Sequence, residues 1–281
     1  MLSAQSYFLS FAKKLTAIYD KSEANAITNY VTSELLMIKF NQLNIIDKNL
    51  DPADVGYFDA VLAKLLTHEP VQYVLGFTWF CGMKFEVNRQ VLIPRPETEE
   101  LVELLVAHCR QQHITHPKVL DLGTGSGCIP VAIKKNIPGA NMYALDVMEQ
   151  ALETAKHNAR INKVEVTFFK DDMLNPELLQ QYAPFDLIIS NPPYIAEEEA
   201  AQMEGHVTTY EPHVALFAPG DPLKFYTAIH QISKKHLKEG GTIWLEINPL
   251  LADETAAIFL ADGTVEIIKD MSGKKRFVKA G

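Results

Sequence analysis

From Lys118 to its last residues, the chain alternates short apolar runs with amphipathic segments of helical length. Each apolar run has the length of a buried strand, and a helix between two strands returns the chain so that they pair in parallel. We therefore predict an α/β fold with a doubly wound, Rossmann-like parallel sheet of seven strands. The predicted strands are 119–122, 141–145, 164–169, 185–190, 242–247, 264–270 and 276–280.

The pattern of residues 1–75 is helical instead. Behind Ser22, the predicted N-cap, apolar residues return every third or fourth position, and Asp51-Pro52 begins a second stripe of this kind. An earlier helix is predicted over residues 4–18. We predict a small all-helical domain over residues 1–75. Two interpretations stay open: the domain only packs on the rest of the chain, or it also engages a macromolecular substrate.

Aromatic and β-branched residues dominate the next segment, which Gly76 and Gly82 interrupt. This composition predicts a β-hairpin linker over residues 76–93 and a main domain over residues 94–281. The main domain opens with the prolines of Ile93-Pro94-Arg95-Pro96-Glu97-Thr98-Glu99. They predict a rigid helix start, with acidic residues that favour the helix N-terminus. A loop beside a ligand is an equally good interpretation of this stretch.

Charge and cysteine content narrow the class of protein. The formal net charge is −9 and the sequence pI is about 5.5, whereas an enzyme of duplex DNA would need a basic face. The chain has 3 cysteines without C-x-x-C spacing, which argues against a disulfide framework or a zinc site. No signal peptide and no long apolar run is visible. We expect a soluble, cytoplasmic protein without a metal.

A glycine-rich turn joins the first predicted strand of the sheet to a helix. Its sequence is Gly123-Thr124-Gly125-Ser126-Gly127, which is not the G-x-G-x-x-G spacing that delivers pyrophosphate to a helix N-terminus. Asp121 lies just before the turn, and its charge would repel a phosphate but attract a cationic amino-acid group. The turn therefore favours S-adenosylmethionine, which carries an ammonium and a sulfonium and no phosphate.

Two more aspartates end the next predicted strands. Asp146 is placed to accept hydrogen bonds from ribose hydroxyls, and Asp172 from an adenine amino group. Strand-end aspartates also cap the helices that follow them, which is the simpler interpretation of any one of them. Three in successive strands, together with the glycine turn, favour a site for S-adenosylmethionine and its product S-adenosylhomocysteine.

The apolar run 185–190 ends in Asn191-Pro192-Pro193-Tyr194. Prolines have a fixed φ and donate no hydrogen bond, so the chain stays rigid and its carbonyls are left for a ligand. An amide and an aromatic ring flank those carbonyls, which suits a flat, conjugated amino group. The motif resembles the acceptor motif of methyltransferases that act on planar NH2 groups, those of adenine, cytosine or a glutamine side chain.

Taken together, the motifs resemble those of the release factor glutamine methyltransferase family over nearly the whole chain. The resemblance rests on the segments 69–76, 93–99, 121–129, 191–195, 210–216 and 245–247. It implies an S-adenosylmethionine-dependent methyltransferase domain behind a helical domain that helps to engage a class I release factor. The substrate would be the glutamine of that factor's Gly-Gly-Gln motif. No membrane and no stable nucleic-acid partner is expected, and we expect a monomer.

The resemblance and the residues together assign the site. The predicted cofactor-binding residues are Asp121, Gly123, Thr124, Gly125, Ser126, Gly127, Asp146, Asp172, Met173 and Asn191. The predicted catalytic residues are Asn191, Pro192 and Tyr194. The predicted substrate-binding residues are Asn191, Pro192, Pro193 and Tyr194, of which the last three would complete the glutamine pocket. We hypothesise that the Asn191 side-chain oxygen and the Pro192 carbonyl accept the two amide N–H bonds of the substrate.

The chain departs from the family pattern at three places. Met173 replaces an aromatic residue and can cover adenine as an apolar side chain. Residues 218–222 and Asn248 replace glycine-containing stretches. Two other functions stay open, methylation of a glutamine in a ribosomal protein and methylation of adenine N6 in DNA.

Overall fold

The computed structural model describes residues 2–45, 48–202, 205–261 and 263–281. They form two compact units, Met1–Gly76 and Phe77–Gly281. The predicted division into a domain of residues 1–75, a linker and a domain of residues 94–281 stays a prediction. In the structure, the second unit already includes the hairpin.

Helices make up most of the first unit. Their bounds are Ala4–Leu15 (α1), Lys21–Leu36 (α2), Pro52–Leu65 (α3) and Val71–Leu75 (α4). The short strands Leu2–Ser3 (β1) and Asn49–Leu50 (β2) pair antiparallel, which the helical pattern did not predict. The core of this unit is largely aromatic and aliphatic, with Phe8, Phe11, Leu15, Phe58 and Leu65 among its buried residues.

Local signals explain where the two longer helices begin. α3 starts at Pro52 as predicted, and the Asp51 carboxylate accepts a hydrogen bond from the Asp54 N–H at 2.9 Å. The predicted N-cap of α2 was wrong. Ser22 lies inside that helix, and the cap is Asp20, whose carboxylate accepts from the Glu23 N–H at 2.9 Å.

A central sheet organises the second unit, with order β10-β11-β9-β8-β5-β6-β7 among the described residues. Its strands are Lys118–Leu122 (β5), Asn141–Asp146 (β6), Thr167–Lys170 (β7), Phe185–Ser190 (β8), Leu237–Glu246 (β9), Val265–Lys269 (β10) and Lys275–Ala280 (β11). The predicted sheet of seven strands is confirmed. β5 to β9 run parallel, whereas β11 is antiparallel to β9 and β10.

Some strand bounds differ from the prediction. β7 begins at Thr167 rather than at residue 164. β9 begins at Leu237 rather than at residue 242, and it runs through Gly240-Gly241. A register shift between Phe185 and Leu187 accommodates the early start of β9.

Helices cover both faces of the sheet. They are Pro96–Gln111 (α5), Cys128–Asn136 (α6), Glu149–Ile161 (α7), Gly205–Tyr210 (α8), His213–Leu216 (α9), Lys224–His236 (α10) and Ala252–Phe259 (α11). Successive residues of β5 point to opposite faces, with Val119 in one buried cluster and Leu120 in the other. None of the helices in the described part of the chain combines the length and apolar character that crossing a bilayer requires.

The hairpin of Phe77–Phe80 (β3) and Met83–Glu86 (β4) packs into the core of the second unit, where Phe80 and Phe85 are fully buried. Asn158 of α7 attaches it. The Glu86 N–H donates to Asn158 Oδ1 at 2.7 Å, and Asn158 Nδ2 donates to the carbonyls of Glu86 at 3.0 Å and Ser126 at 2.9 Å. One buried amide therefore links the hairpin to the glycine-rich turn.

We expect Asn158→Ala to lower the free energy of unfolding by about 3 kcal/mol, because it removes hydrogen bonds from the buried Ser126 carbonyl and from two partly buried backbone groups of Glu86. Asn162→Ala is the matched control. Its Nδ2 donates at 3.0 Å to the Lys84 carbonyl at an exposed position, so its loss should cost less than about 1 kcal/mol. Urea unfolding measures both values, and equal costs would contradict this assignment.

Candidate functional site

A cavity of about 710 Å³ lies at the carboxyl ends of β5, β6 and β8. In a doubly wound sheet, ligands bind at this edge, where the strand order reverses. The predicted site residues that line the cavity are Gly123, Gly125, Asp146, Asp172, Met173, Asn191 and Pro193. A more open depression of about 820 Å³ lies over β6, β7 and α7 and contains none of the predicted residues.

The other predicted residues lie behind the cavity wall. Asp121, Thr124 and Ser126 are buried, and Gly127 is the N-cap of α6. Pro192 is buried as well, and Tyr194 packs against the core cluster between the sheet and α10. Whether these residues touch a ligand stays a prediction.

All three glycines of the turn have a left-handed backbone, with φ of 75°, 53° and 77° for Gly123, Gly125 and Gly127. At Gly127 a Cβ would lie 2.9 Å from the Cβ of Ala155 in α7, so the turn packs against that helix. At Gly125 a Cβ would meet no atom within 4 Å. The missing side chain of Gly125 therefore leaves open space at the cavity wall.

Asp121 is a fully buried carboxylate, and neither of its oxygens has a hydrogen-bond partner among the described residues. Burial raises the pKa of Asp121, the nearby Thr124 hydroxyl acts in the opposite direction, and the charge of Asp146 raises it, so that the pKa lies at about 7. An ionised carboxylate in this place lacks a compensating charge. A cationic group bound at the turn would supply one.

Asp146 and Asp172 both accept hydrogen bonds from nearby backbone groups. The Asp146 oxygens accept from the N–H groups of Gly125 at 2.8 Å and Met148 at 2.9 Å, and burial raises its pKa. Asp172 accepts from the Leu174 N–H at 2.8 Å. Both still line the cavity, where their remaining lone pairs are available to hydroxyl or amino groups.

Asp171, which the sequence analysis did not single out, caps the segment after β7. Its buried carboxylate accepts from the N–H groups of Glu177 at 3.0 Å, Leu178 at 2.9 Å and Leu179 at 3.1 Å. The Asp171-Asp172 pair was visible in the sequence. Only the structure shows that Asp171 is the one that accepts hydrogen bonds from the backbone N–H groups of the following segment.

The Asn191 side chain reaches the cavity with one defined orientation. Its Nδ2 donates to Thr98 Oγ1 at 3.0 Å, and Oδ1 accepts no hydrogen bond from the described residues. Thr98 Oγ1 in turn donates to Glu246 Oε2 at 2.7 Å, and the Tyr194 hydroxyl donates to Glu246 Oε1 at 3.1 Å. The two ends of the Asn-Pro-Pro-Tyr motif are thus connected to one carboxylate.

Glu246, at the end of β9, is only 2% exposed. Burial raises its pKa, while the hydrogen bonds from Thr98 and Tyr194 and the charge of Arg276 act in the opposite direction. In the sequence, Glu246 is visible only as a member of the segment 245–247. Thr98 and Glu246 are 148 positions apart, so no local pattern predicts their contact.

Another pair of motif residues also meets. The Arg95 guanidinium forms an ion pair with Glu211, whose side chain is 1% exposed. Glu211 additionally accepts from the Ile93 N–H at 3.4 Å. This ion pair joins the loop before α5 to the end of α8.

The three departures from the family pattern have defined surroundings. Met173 lines the cavity, and its Cε is 2.9 Å from where a Cβ of residue 123 would lie. Asn248 is buried, and its Nδ2 donates to the Tyr194 carbonyl at 3.3 Å and to Glu199 Oε1 at 3.1 Å. In the segment 218–222, Pro219 lines the cavity. Among the described residues, no cluster of His, Cys, Asp and Glu has the arrangement of a metal site.

The chain is similar to known methyltransferases. The model of the family "Methyltransferase small domain" matches residues 98–209. The chain is 37% identical over 280 residues to a release factor glutamine methyltransferase of Flavobacterium psychrophilum, covering 98% of each chain. It is 35% identical over 274 residues to one of Bacteroides thetaiotaomicron, covering 95% of this chain and 96% of that relative.

A solved structure agrees at the level of the fold. The crystal structure of a methyltransferase from Pyrococcus furiosus matches with a TM-score of 0.50 and 19% identity, covering 77% of this chain and 94% of that one. At this identity the match supports the fold alone.

The unpartnered Asp121 carboxyl generates a pH prediction for the ligand-free protein. Its pKa is raised from 3.8 to about 7, so between these values the folded state keeps a proton that the unfolded chain has lost. The free energy of unfolding is therefore highest below the unfolded-state pKa of 3.8, and it falls as the pH rises towards the folded-state pKa of about 7. We expect this loss, roughly 2–4 kcal/mol, to be absent in Asp121→Asn.

Urea unfolding of Asp121→Asn and wild type at several pH values between about 4 and 7 tests this prediction. The variant should gain on the wild type as the pH rises. Asp253→Asn is the control, because its side chain is 73% exposed. A difference between Asp121→Asn and wild type that does not change with pH would contradict the prediction.

Proposed function

We propose a function from one premise, which is that this chain belongs to the release factor glutamine methyltransferase family. It methylates the side-chain amide nitrogen (N5) of the glutamine in the Gly-Gly-Gln motif of class I peptide chain release factors. The observation that carries the proposal is the Oδ1 of Asn191, which accepts no hydrogen bond from any residue that the structure describes. It faces the same cavity as the glycine-rich turn and Asp146.

S-adenosylmethionine is the methyl donor in this proposal. Two features support the fit: the buried Asp121 carboxylate, whose oxygens accept no hydrogen bond within the described part of the chain, and the open space over Gly125. Asp146 and Asp172 would accept hydrogen bonds from the ribose and the adenine, and Met173 would cover the adenine ring. When bound, S-adenosylmethionine supplies a methyl group on a positively charged sulfur, which leaves as the neutral thioether of S-adenosylhomocysteine.

The residues of this chain have to make a weak nucleophile react. An amide nitrogen shares its lone pair with the carbonyl, so it must be held in line with the methyl group. Asn191 Oδ1 and the Pro192 carbonyl would accept its two N–H bonds and fix its position. They also stabilise the positive charge that grows on the nitrogen as the N–C bond forms. The nitrogen then loses one proton, and no strong base is needed before the attack.

We also propose that the helical unit takes part in recognising the release factor. Several large apolar side chains of this unit are exposed, among them Leu9, Met37 and Tyr57. Exposed apolar side chains are typical of protein-binding surfaces when they cluster. The protein would act as a monomer on a protein substrate and would form no stable complex with nucleic acid.

Methyl transfer from labelled S-adenosylmethionine tests the function directly. The substrates offered are purified class I release factors, the same factors with the tip glutamine changed to alanine, a preparation of ribosomal proteins, and duplex DNA. We expect label on the intact factors and none on the alanine variants. Label on ribosomal proteins or DNA alone would overturn the proposal.

Asn191→Ala tests the role of the amide oxygen. We expect kcat to fall by at least roughly 10²-fold, as for other losses of one polar contact to a transition state. Binding of S-adenosylmethionine, measured by calorimetry, should remain detectable because the turn and Asp146 are intact. A variant with nearly wild-type kcat would show that Asn191 does not act on the reacting nitrogen.

A further inference from the structure

We infer that Thr98 and Glu246 are positioning residues that set which end of the Asn191 amide faces the substrate. The inference rests on the proposed function and extends it to two residues that do not line the cavity. They belong to different elements, since Thr98 lies in the first turn of α5 and Glu246 at the end of β9. Both side chains are buried, 3% and 2% exposed.

The direction of the hydrogen bonds follows from the chemistry of the three groups. A hydroxyl has one proton to donate, and a carboxylate can only accept. At 2.7 Å from Glu246 Oε2, the Thr98 proton is committed to the carboxylate. The threonine oxygen can then only accept, and the group that faces it at 3.0 Å must be the NH2 of Asn191.

This chain of hydrogen bonds determines the orientation of the Asn191 amide. The two ends of a primary amide have nearly the same shape, so packing alone does not distinguish Oδ1 from Nδ2. With Nδ2 held by Thr98, Oδ1 faces the cavity and can accept from the amino group of a substrate. In the opposite orientation an NH2 would face an NH2, and no hydrogen bond would form. The charge of Glu246 therefore selects substrates with a donor at this position.

Glu246 is itself held in place from several sides. The Tyr194 hydroxyl donates to its other oxygen at 3.1 Å, and Arg276 supplies a nearby positive charge. Glu97 is the other charged group that acts on it. Tyr194 thus belongs to the same positioning network. Its hydroxyl fixes the carboxylate that orients the first residue of its own motif.

Thr98→Val is the central test, because valine keeps nearly the shape of threonine and replaces only its hydroxyl with a methyl group. We expect kcat for release factor methylation to fall roughly 10- to 100-fold. This is a smaller loss than the roughly 10²- to 10³-fold loss that follows when a direct contact to the transition state is removed. KM for the factor and Kd for S-adenosylmethionine should change less than about 3-fold, because neither ligand touches Thr98. Thr98→Ser, which retains the hydroxyl, should restore kcat to near the wild-type value.

Thr255→Val is the matched control. Thr255 is fully buried in α11, and its hydroxyl has no hydrogen-bond partner among the described residues. The same exchange there should leave kcat unchanged. A loss of kcat in Thr255→Val as large as in Thr98→Val would overturn the inference, because the effect would then come from buried valine in general.

Glu246→Gln examines the other end of the network. The oxygen of the introduced glutamine would accept from the Tyr194 hydroxyl, and the NH2 group of that glutamine would donate to Thr98 Oγ1. The Thr98 hydroxyl would then donate to Asn191, so the Asn191 amide would turn its oxygen to Thr98 and its NH2 to the cavity. We expect a loss of kcat similar to that in Thr98→Val, and a double variant no slower than the slower single one. Fully multiplicative losses would mean that the two residues act independently, against the inference.

Neutron diffraction of the deuterated protein reads the amide orientation without any reaction. We expect the ND2 group of Asn191 to face Thr98 Oγ1, and the reverse orientation would overturn the inference. The outcomes separate the two proposals. A wild type that methylates release factors while Thr98→Val retains its kcat contradicts only the inference. A wild type that leaves them unlabelled contradicts the proposed function, and the diffraction result still decides the orientation.

Discussion

The parallel pairing of β5 with β6 on one side and β8 on the other is the constraint on which the site depends. Because all three strands run in the same direction, their carboxyl ends open onto one cavity. The glycine-rich turn follows β5, Asp146 ends β6, and Asn191 follows β8. A different strand order would separate the proposed donor site from the proposed acceptor site. The chemistry of the protein therefore rests on a feature of the backbone.

Buried carboxylates divide into two kinds in this protein, and the division agrees with their proposed roles. Glu246 and Glu211 have partners, so each holds several segments in a fixed arrangement. Asp121 has none among the described residues, and its raised pKa reflects this isolation. An unpaired buried charge lowers stability, and proteins tolerate it where a ligand compensates. A paired buried carboxylate such as Glu246 instead holds its partners in one orientation, as it does for Thr98 and, through Thr98, for the Asn191 amide.

The sequence was a good guide to the elements and a weaker guide to their ends. Apolar runs separated by helical segments predicted every strand of the seven-stranded sheet, because a buried strand needs apolar side chains on both faces. The bounds of β7 and β9 and the N-cap of α2 were misplaced. Ser22 and Asp20 are both good caps by composition, and only the path of the backbone decides which side chain reaches the free N–H.

The sequence by itself determined the α/β fold, the position of the glycine-rich turn and the Asn-Pro-Pro-Tyr motif, because these follow from local periodicity, from the conformational freedom of glycine and from the fixed φ of proline. Only the tertiary structure decided that Thr98, 93 positions from Asn191, holds its amide, and that Glu246 holds Thr98. It also decided that Asp171, which lines the cavity beside Asp172, accepts hydrogen bonds from three backbone N–H groups of the segment after β7. Such assignments depend on hydrogen bonds between segments that are distant in the chain, and a local pattern contains no information about which segments will meet.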